Sequence, residues 1–194
     1  MLDSQRLFSF ALSIAFPVLL GFAGARFTVN SVRQWYPSLL KPSWVPPNAI
    51  FPIAWTLLYA SMGWASHRVA SLTGWLSPPL TVYYAGSLLL NVSWSPIFFG
   101  FGWMDVALVI IISLWAVVAG GLIPAFARVD TTAGALLVPY ACFLTFATAL
   151  NYRMLVLNPQ EVAWKGTTRL LAGRKGVKGA AKRKTPPRVP PQDL

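Results

Sequence analysis

The chain has 194 residues, 56% hydrophobic and 11% charged, with a mean hydropathy of +0.57 and a formal net charge of +11. A soluble domain carries about a quarter charged residues, so this composition excludes one, and the apolar excess excludes a disordered chain. The lone Cys142 and lone His67 exclude a disulfide framework and a Cys- or His-rich metal site, which leaves a small integral membrane protein.

Uncharged runs cover 7–25, 42–66, 69–104, 106–127 and 131–152. A membrane-crossing helix needs about 20 apolar residues, each rising ~1.5 Å through a hydrocarbon layer ~30 Å thick. The first span is expected at 7–27. Met1 to Arg6 before it and Ala23-Gly24-Ala25 near its end also fit a signal peptide. The apolar stretch exceeds the ~7–15 residues of such a segment, and Asp3 weakens its positive flank, which argues for a retained span. The run from Pro42 to Pro47 delays the second helix, expected at 48–70. Breaks at Ser77-Pro78-Pro79 and Gly100 to Gly102 bound the third at 80–99, and the fourth and fifth follow at 104–126 and 132–156. Continuous rather than alternating apolar runs argue against β-barrel strands. The expected fold class is an all-α, five-transmembrane-helix bundle over residues 1–158, followed by a tail over 159–194.

Lys and Arg set the expected orientation. Arg6, Arg68 and Arg128 fall on one side, against Arg33, Lys41 and the tail on the other, so the N-terminus is expected outside and the C-terminus in the cytosol. From Arg153 onward ten basic residues face Glu161 and Asp193, a net +8, and the chain ends in a Pro-rich stretch. This composition reads as a solvated, disordered cytosolic tail, with anionic lipid headgroups as a partner for its basic residues. Nothing aromatic is interleaved for base stacking, which argues against nucleic acid.

The chain carries nine Trp, six Tyr and twelve Phe. Trp35, Tyr36, Trp44, Trp75, Trp103 and Trp164 stand near expected span ends, where a belt of aromatic residues at headgroup depth is ordinary. Others lie deeper. Trp55, Tyr59, Met62 and Ser66 share one helical face; Asn91, Trp94 and Phe98 share another; Tyr140, Phe143, Ala147, Leu150 and Asn151 a third. Such stripes suit a helix-packing seam or the wall of a pocket for a flat apolar ligand, and periodicity leaves both open. Asn is costly in a membrane without a partner, so Asn91 and Asn151 should face the bundle interior. The acids Asp3, Asp105, Asp130, Glu161 and Asp193 lie at span ends or in the tails, and no nucleophilic triad, phosphate loop or zinc motif is present. His67, beside Arg68 at a span end, reads as interfacial rather than as a haem ligand, and Cys142 as a small buried residue.

The motif Trp35-Tyr36, Leu40-Lys41-Pro42-Ser43-Trp44-x-Pro46-Pro47, Pro52-x-x-Trp55-x-x-Leu58-Tyr59-x-x-Met62-Gly63 resembles the translocator protein family (TspO/MBR, peripheral benzodiazepine receptor). The resemblance continues through Leu90-Asn91-x-x-Trp94-x-Pro96-Ile97-Phe98-Phe99-Gly100, Pro139-Tyr140 and Phe146-Ala147-Thr148-x-Leu150-Asn151-Tyr152, with Gly24-Ala25-Arg26-Phe27 closing the first helix. It implies a five-helix membrane receptor that binds porphyrins or haem, sterol-like molecules and synthetic ligands under a lid formed by the first loop. It further implies that Trp44 and Pro47 belong to the lid, and that Phe51, Trp55 and Tyr59 line the pocket. Asn91, Trp94, Ala147 and Leu150 are implied as further pocket residues, and Arg26 as a loop anchor.

Phe143 stands where many relatives carry a Trp linked to light-dependent porphyrin degradation, so no enzymatic activity is expected. Arg153 follows Tyr152 at once, which breaks the spacing of the proposed sterol motif. The small-residue pair of the third helix, which some relatives use in a homodimer, reads Val82 and Gly86. The resemblance implies no obligatory cofactor or metal. Eukaryotic relatives occupy the mitochondrial outer membrane and bacterial ones the cell envelope.

Overall fold

The structure is a computed structural model that describes residues 2–74 and 77–162. Trp75, Trp164 and the tail from residue 163 onward lie outside the described residues. Helix α1 (Leu2–Gln34) runs past the expected end, because residues 28–34 contain no breaker. It stops ahead of Pro37, which lacks the N–H needed to continue the ladder, and a 3₁₀ turn follows at Tyr36–Ser38. After the proline-rich stretch of the loop, α2 (Ile50–Thr73) ends at Gly74, whose φ of 78° lies in the region glycine tolerates best. Helix α3 (Pro78–Ser95) opens on two prolines, where missing N–H groups cost nothing. It passes at Pro96 into a π segment, π1 (Pro96–Phe101), which closes at Gly102 with φ 67°.

The fourth expected helix is subdivided into α4 (Met104–Ala116), π2 (Val117–Leu122) and α5 (Ile123–Val129), which follow without a break. The wider turn precedes Pro124, which removes the donor that the Gly120 carbonyl would otherwise receive. Helix α6 (Thr131–Leu157) follows one connecting residue, Asp130, whose Oδ1 accepts from the N–H groups of Thr132 at 2.7 Å and Ala133 at 3.2 Å. The described residues therefore form an all-helical structure with six α-helices, two π segments and a 3₁₀ turn, in place of five uninterrupted helices. Among the described residues three stretches are long and apolar enough to cross a membrane, Ser4–Arg26, Met104–Val129 and Thr131–Leu157. Polar and aromatic residues such as Ser61, His67, Arg68, Tyr83 and Asn91 make α2 and α3 more polar than these.

Packing closes the helices into a ring. Helix α1 lies against α2, α3 and π1; α2 also meets α6; α6 meets α4 and α5; and α4 returns to α3. The approach of α1 to α2 is close enough that a Cβ on Gly63 would collide with the Ser13 carbonyl and the Ile14 Cα. Met62, Val69, Ile111, Leu114, Leu122, Phe126, Leu137 and Leu144 fill the centre of the core. A smaller cluster of Tyr36, Leu39, Phe98, Met104, Leu150 and Met154 lies at the end of the bundle nearest the first loop. Cys142 is exposed rather than buried, since it shares the outward face of α6 with Val138, Thr145 and Tyr152.

At the other end, Arg68 of α2 holds Asp130 through Nε at 2.8 Å and Nη2 at 2.7 Å. Desolvation of the Asp130 carboxyl works against its ionisation. The Arg68 hydrogen bond, the Ala133 and Thr132 N–H groups and the Arg68 charge outweigh it and hold the pKa below the ordinary carboxylate range.

Candidate functional site

Between α1, α2, α3 with π1, and α6 lies a cavity of about 430 Å³. Helix α2 contributes Phe51, Trp55 and Tyr59 at four-residue intervals, so all three rings leave the helix on one face. Trp55 stacks on Tyr59 with ring centroids 5.7 Å apart and meets Phe143 of α6 edge-on at 5.1 Å. From the opposite wall Trp94 stacks on Phe98 at 5.0 Å. Phe143, Ala147, Leu150 and Met154 continue the wall along α6. Helix α1 supplies the fourth side with Val18, Gly21, Ala25, Thr28 and Val32, all on one face. A Cβ on Gly21 would enter the Tyr59 ring, so the absence of a side chain there is what admits that ring.

Two asparagines organise the polar atoms. The Tyr59 hydroxyl donates to Asn91 Oδ1 at 2.5 Å, and Asn91 Nδ2 donates to the Tyr140 hydroxyl at 2.5 Å, which ties α2, α3 and α6 together. Trp94 Nε1 donates to Asn151 Oδ1 at 3.1 Å, while Asn151 Nδ2 donates to the Met104 carbonyl at 3.0 Å. Both amides are buried and each has partners on both its atoms, so the two side chains face inward as their cost in a membrane requires. Near α1 the hydroxyls of Thr28 and Ser95 lie 2.8 Å apart, and Ser31 Oγ donates to the Phe99 carbonyl at 2.6 Å.

The first loop, residues 35–49, is fastened to the end of α6. Asn158 Oδ1 accepts from the Leu40 N–H at 2.9 Å, and its Nδ2 donates to the Leu40 carbonyl at 2.9 Å and to the Met154 carbonyl at 2.7 Å. Lys41 Nζ sits 4.7 Å from the centre of the Tyr36 ring and donates to the Leu39 carbonyl at 3.1 Å. Desolvation pushes the Tyr36 phenol pKa up and the Lys41 pKa down.

Of the residues singled out from the sequence, Phe51, Trp55, Tyr59, Asn91, Trp94, Phe143, Ala147 and Leu150 line this one cavity. Trp44 and Pro47 do not. Trp44 is exposed and packs edge-on against Phe146 at 5.7 Å, and the Pro47 carbonyl accepts from the Ile50 N–H at 2.9 Å. Arg26 is exposed on α1, and Asn158 holds the backbone of Leu40 in the loop. The sequence reading missed the α1 wall, Arg33 and Tyr36 at the loop end of the cavity, and Asn158. The small residues Gly21 and Ala25 with Thr28, at helical spacing, were the available signal for the first of these. Among the described residues no three His, Cys, Asp or Glu side chains group as a metal site. Flat ring surfaces with a few fixed amide and hydroxyl groups have the chemistry to contact a flat apolar molecule.

Comparison with known proteins agrees with this architecture. The model of the TspO/MBR family matches residues 13–157. The chain is 40% identical to the "Tryptophan-rich protein TspO" of Chlorobaculum tepidum over 80% of its own length and 99% of that protein. It is 41% identical to the "Tryptophan-rich sensory protein" of Cereibacter sphaeroides, over 74% of this chain and 90% of that one. Against the "Translocator protein" of Bos taurus it is 41% identical, over 71% and 83% respectively. The chain is an integral membrane protein and belongs to the TspO/MBR family.

Proposed function

We propose that this protein is a membrane receptor that binds a tetrapyrrole or a sterol-like molecule in the cavity between α1, α2, α3 and α6. The observation that carries the reading is the convergence of Trp55, Tyr59, Trp94 and Phe143 on one cavity of about 430 Å³. That volume falls within the ~300–1,000 Å³ of small-molecule sites. Trp55 and Trp94 offer ring faces for stacking, and Asn91 and Asn151 fix their orientation through Tyr59 and the Trp94 indole. In this reading α2 and α3 complete a five-span bundle, with the N-terminus outside and the C-terminus cytosolic as the positive charges favour. The membrane is the mitochondrial outer membrane in a eukaryote and the cell envelope in a bacterium. Binding is favoured over turnover because this part of the wall is Phe143, where many relatives carry the Trp linked to porphyrin degradation. No obligatory cofactor or metal is required. The further partners are a second copy along α3, where Val82 is exposed and Gly86 has open space, and anionic lipid headgroups at the tail.

Tryptophan fluorescence of the purified protein, titrated separately with protoporphyrin IX and with cholesterol, tests the proposal. Saturable quenching is expected for a ligand in this cavity. In Trp55→Ala the affinity falls several-fold, because a stacked aromatic is worth about 0.5–1.5 kcal/mol beyond its buried area. Equal affinity in a folded Trp55→Ala protein would overturn the assignment.

A further inference from the structure

The cavity is long and electrically one-sided. From Val18 to Arg33 its α1 wall rises through about 22 Å at ~1.5 Å per residue. Its deep part is walled by Val18, Gly21 and Tyr59, without a charged group, whereas its loop end carries Arg33 beside Tyr36. Among the described residues no Asp or Glu lines the cavity. Among the described residues no acid stands within ion-pair distance of the Arg33 guanidinium, in contrast to Arg68, which is paired with Asp130. Lys41 places a second positive charge over the ring of Tyr36, 4.7 Å from its centre. Glu161, the acid nearest the loop by contact, is turned to the Trp35 indole at 3.5 Å. An apolar slot that ends at a cation without an acidic partner fits a molecule with a matching asymmetry.

We infer that Arg33 is the specificity-determining residue of this cavity, receiving at the loop end an anionic group on the edge of an otherwise flat apolar ligand. The inference rests on the cavity being the ligand site. Arg33 presents several N–H donors in a planar fork, which suits a carboxylate or a sulfate. The guanidinium is exposed, so the pairing adds selectivity more than affinity, and the apolar slot supplies most of the binding. An uncharged sterol leaves Arg33 without a partner, and a cationic amphiphile is repelled.

Two matched ligand pairs test this in nanodiscs of zwitterionic lipid, with empty nanodiscs subtracted: protoporphyrin IX against its dimethyl ester, and cholesteryl sulfate against cholesterol. The acid member of at least one pair is expected to bind about two- to five-fold more tightly than its neutral partner, the range an exposed ion pair supports. The pair that shows the preference distinguishes a tetrapyrrole source from a sterol source. Arg33→Gln brings the ratio of acid to neutral affinity within the pair to about one, and Arg33→Lys keeps part of the preference. Raising the salt concentration narrows the preference in the native protein and not in Arg33→Gln. Equal binding within both pairs, or a preference that survives in Arg33→Gln, overturns the inference. If Trp55→Ala leaves all four affinities unchanged, the cavity assignment itself has failed. A Trp55→Ala effect on both members of a pair, with the acid preference intact in Arg33→Gln, sinks the Arg33 role alone.

Discussion

Replacing Asn91 by Leu removes the junction between three helices. Its amide accepts from Tyr59 and donates to Tyr140, both at 2.5 Å, and it is 5% exposed. Hydrogen bonds between membrane helices average ~0.6 kcal/mol with a maximum near 1.7, so loss of the two bonds costs about 1–3 kcal/mol. Leu also strands two phenol hydroxyls away from water, which adds about 1–3 kcal/mol for each that finds no new partner. With one of the two hydroxyls left unpartnered a total of about 2–6 kcal/mol is therefore expected, read as a shifted midpoint in SDS or urea titrations of detergent-solubilised protein. The decisive measurement is the double-mutant cycle with Tyr140→Phe. Removing the Tyr140 hydroxyl already breaks one of the two bonds, so the double variant should be less destabilised than the sum of the singles, by about 0.6–1.7 kcal/mol. Additive losses within error would refute the network as a connected unit, and would reduce Asn91 to an independently packed polar residue.

Three further outcomes follow from particular contacts. Gly63→Ala should destabilise by about 1–3 kcal/mol, because the new Cβ meets the backbone of Ser13 and Ile14. Gly86→Ala, with open space around it, should be neutral or gain up to ~1 kcal/mol of helix propensity; thermal unfolding of the two variants checks the contrast. Asn158→Ala releases both backbone groups of Leu40 from the end of α6, so stopped-flow exchange should show ligand association and dissociation both accelerated, with the equilibrium affinity changed less. Equal rates would mean the loop does not limit exchange. Finally, the depressed Asp130 pKa makes a stabilising contribution that is present above the ordinary carboxylate pKa of ~3.9 and lost as pH falls through the lower folded-state value. Asp130→Asn retains a capping oxygen and loses the ion pair with Arg68, so the acid side of its stability profile should be flatter than that of the native protein. Parallel profiles would show that this carboxylate contributes nothing to acid sensitivity.

The wall built from aromatic residues was legible because large rings at helical spacing leave a pattern: Trp55 and Tyr59, Asn91 and Trp94, Phe143 and Ala147 could each be assigned to a face before any coordinates. The wall contributed by α1 is made of Gly21, Ala25 and Thr28, whose role is to be small, and smallness on an apolar helix resembles ordinary membrane sequence. Arg33 reads as a topology signal: the breaker-free residues 28–34 allow the helix to continue to Gln34, but hydropathy ends the span before them and does not report that the extra turns carry Arg33 to the cavity. Asn158 stands one residue past α6, where a polar residue passes for a helix end; its partner Leu40 is 118 positions away, a separation no local pattern reports. Trp44 and Pro47, expected in the lid, stand outside the cavity lining, where Trp44 packs on Phe146. Likewise, the end of the fourth expected helix was close, but its passage through π2 depends on how Pro124 and Gly120 share a turn, which hydropathy does not register.

The single-residue connection at Asp130 bears on how this protein enters a membrane during synthesis. The segments Met104–Val129 and Thr131–Leu157 are each apolar enough to cross on their own, yet only one residue separates them. Such a pair cannot be threaded as two independent events, because no slack exists to let the first settle before the second turns back. The short connection favours their partitioning into lipid together, as a helical hairpin whose tip is capped by the Thr132 and Ala133 N–H groups on Asp130. An epitope or glycosylation sequon inserted at this tip would force the hairpin apart, whereas the first loop, with fifteen residues between Gln34 and Ile50, has chain to spare.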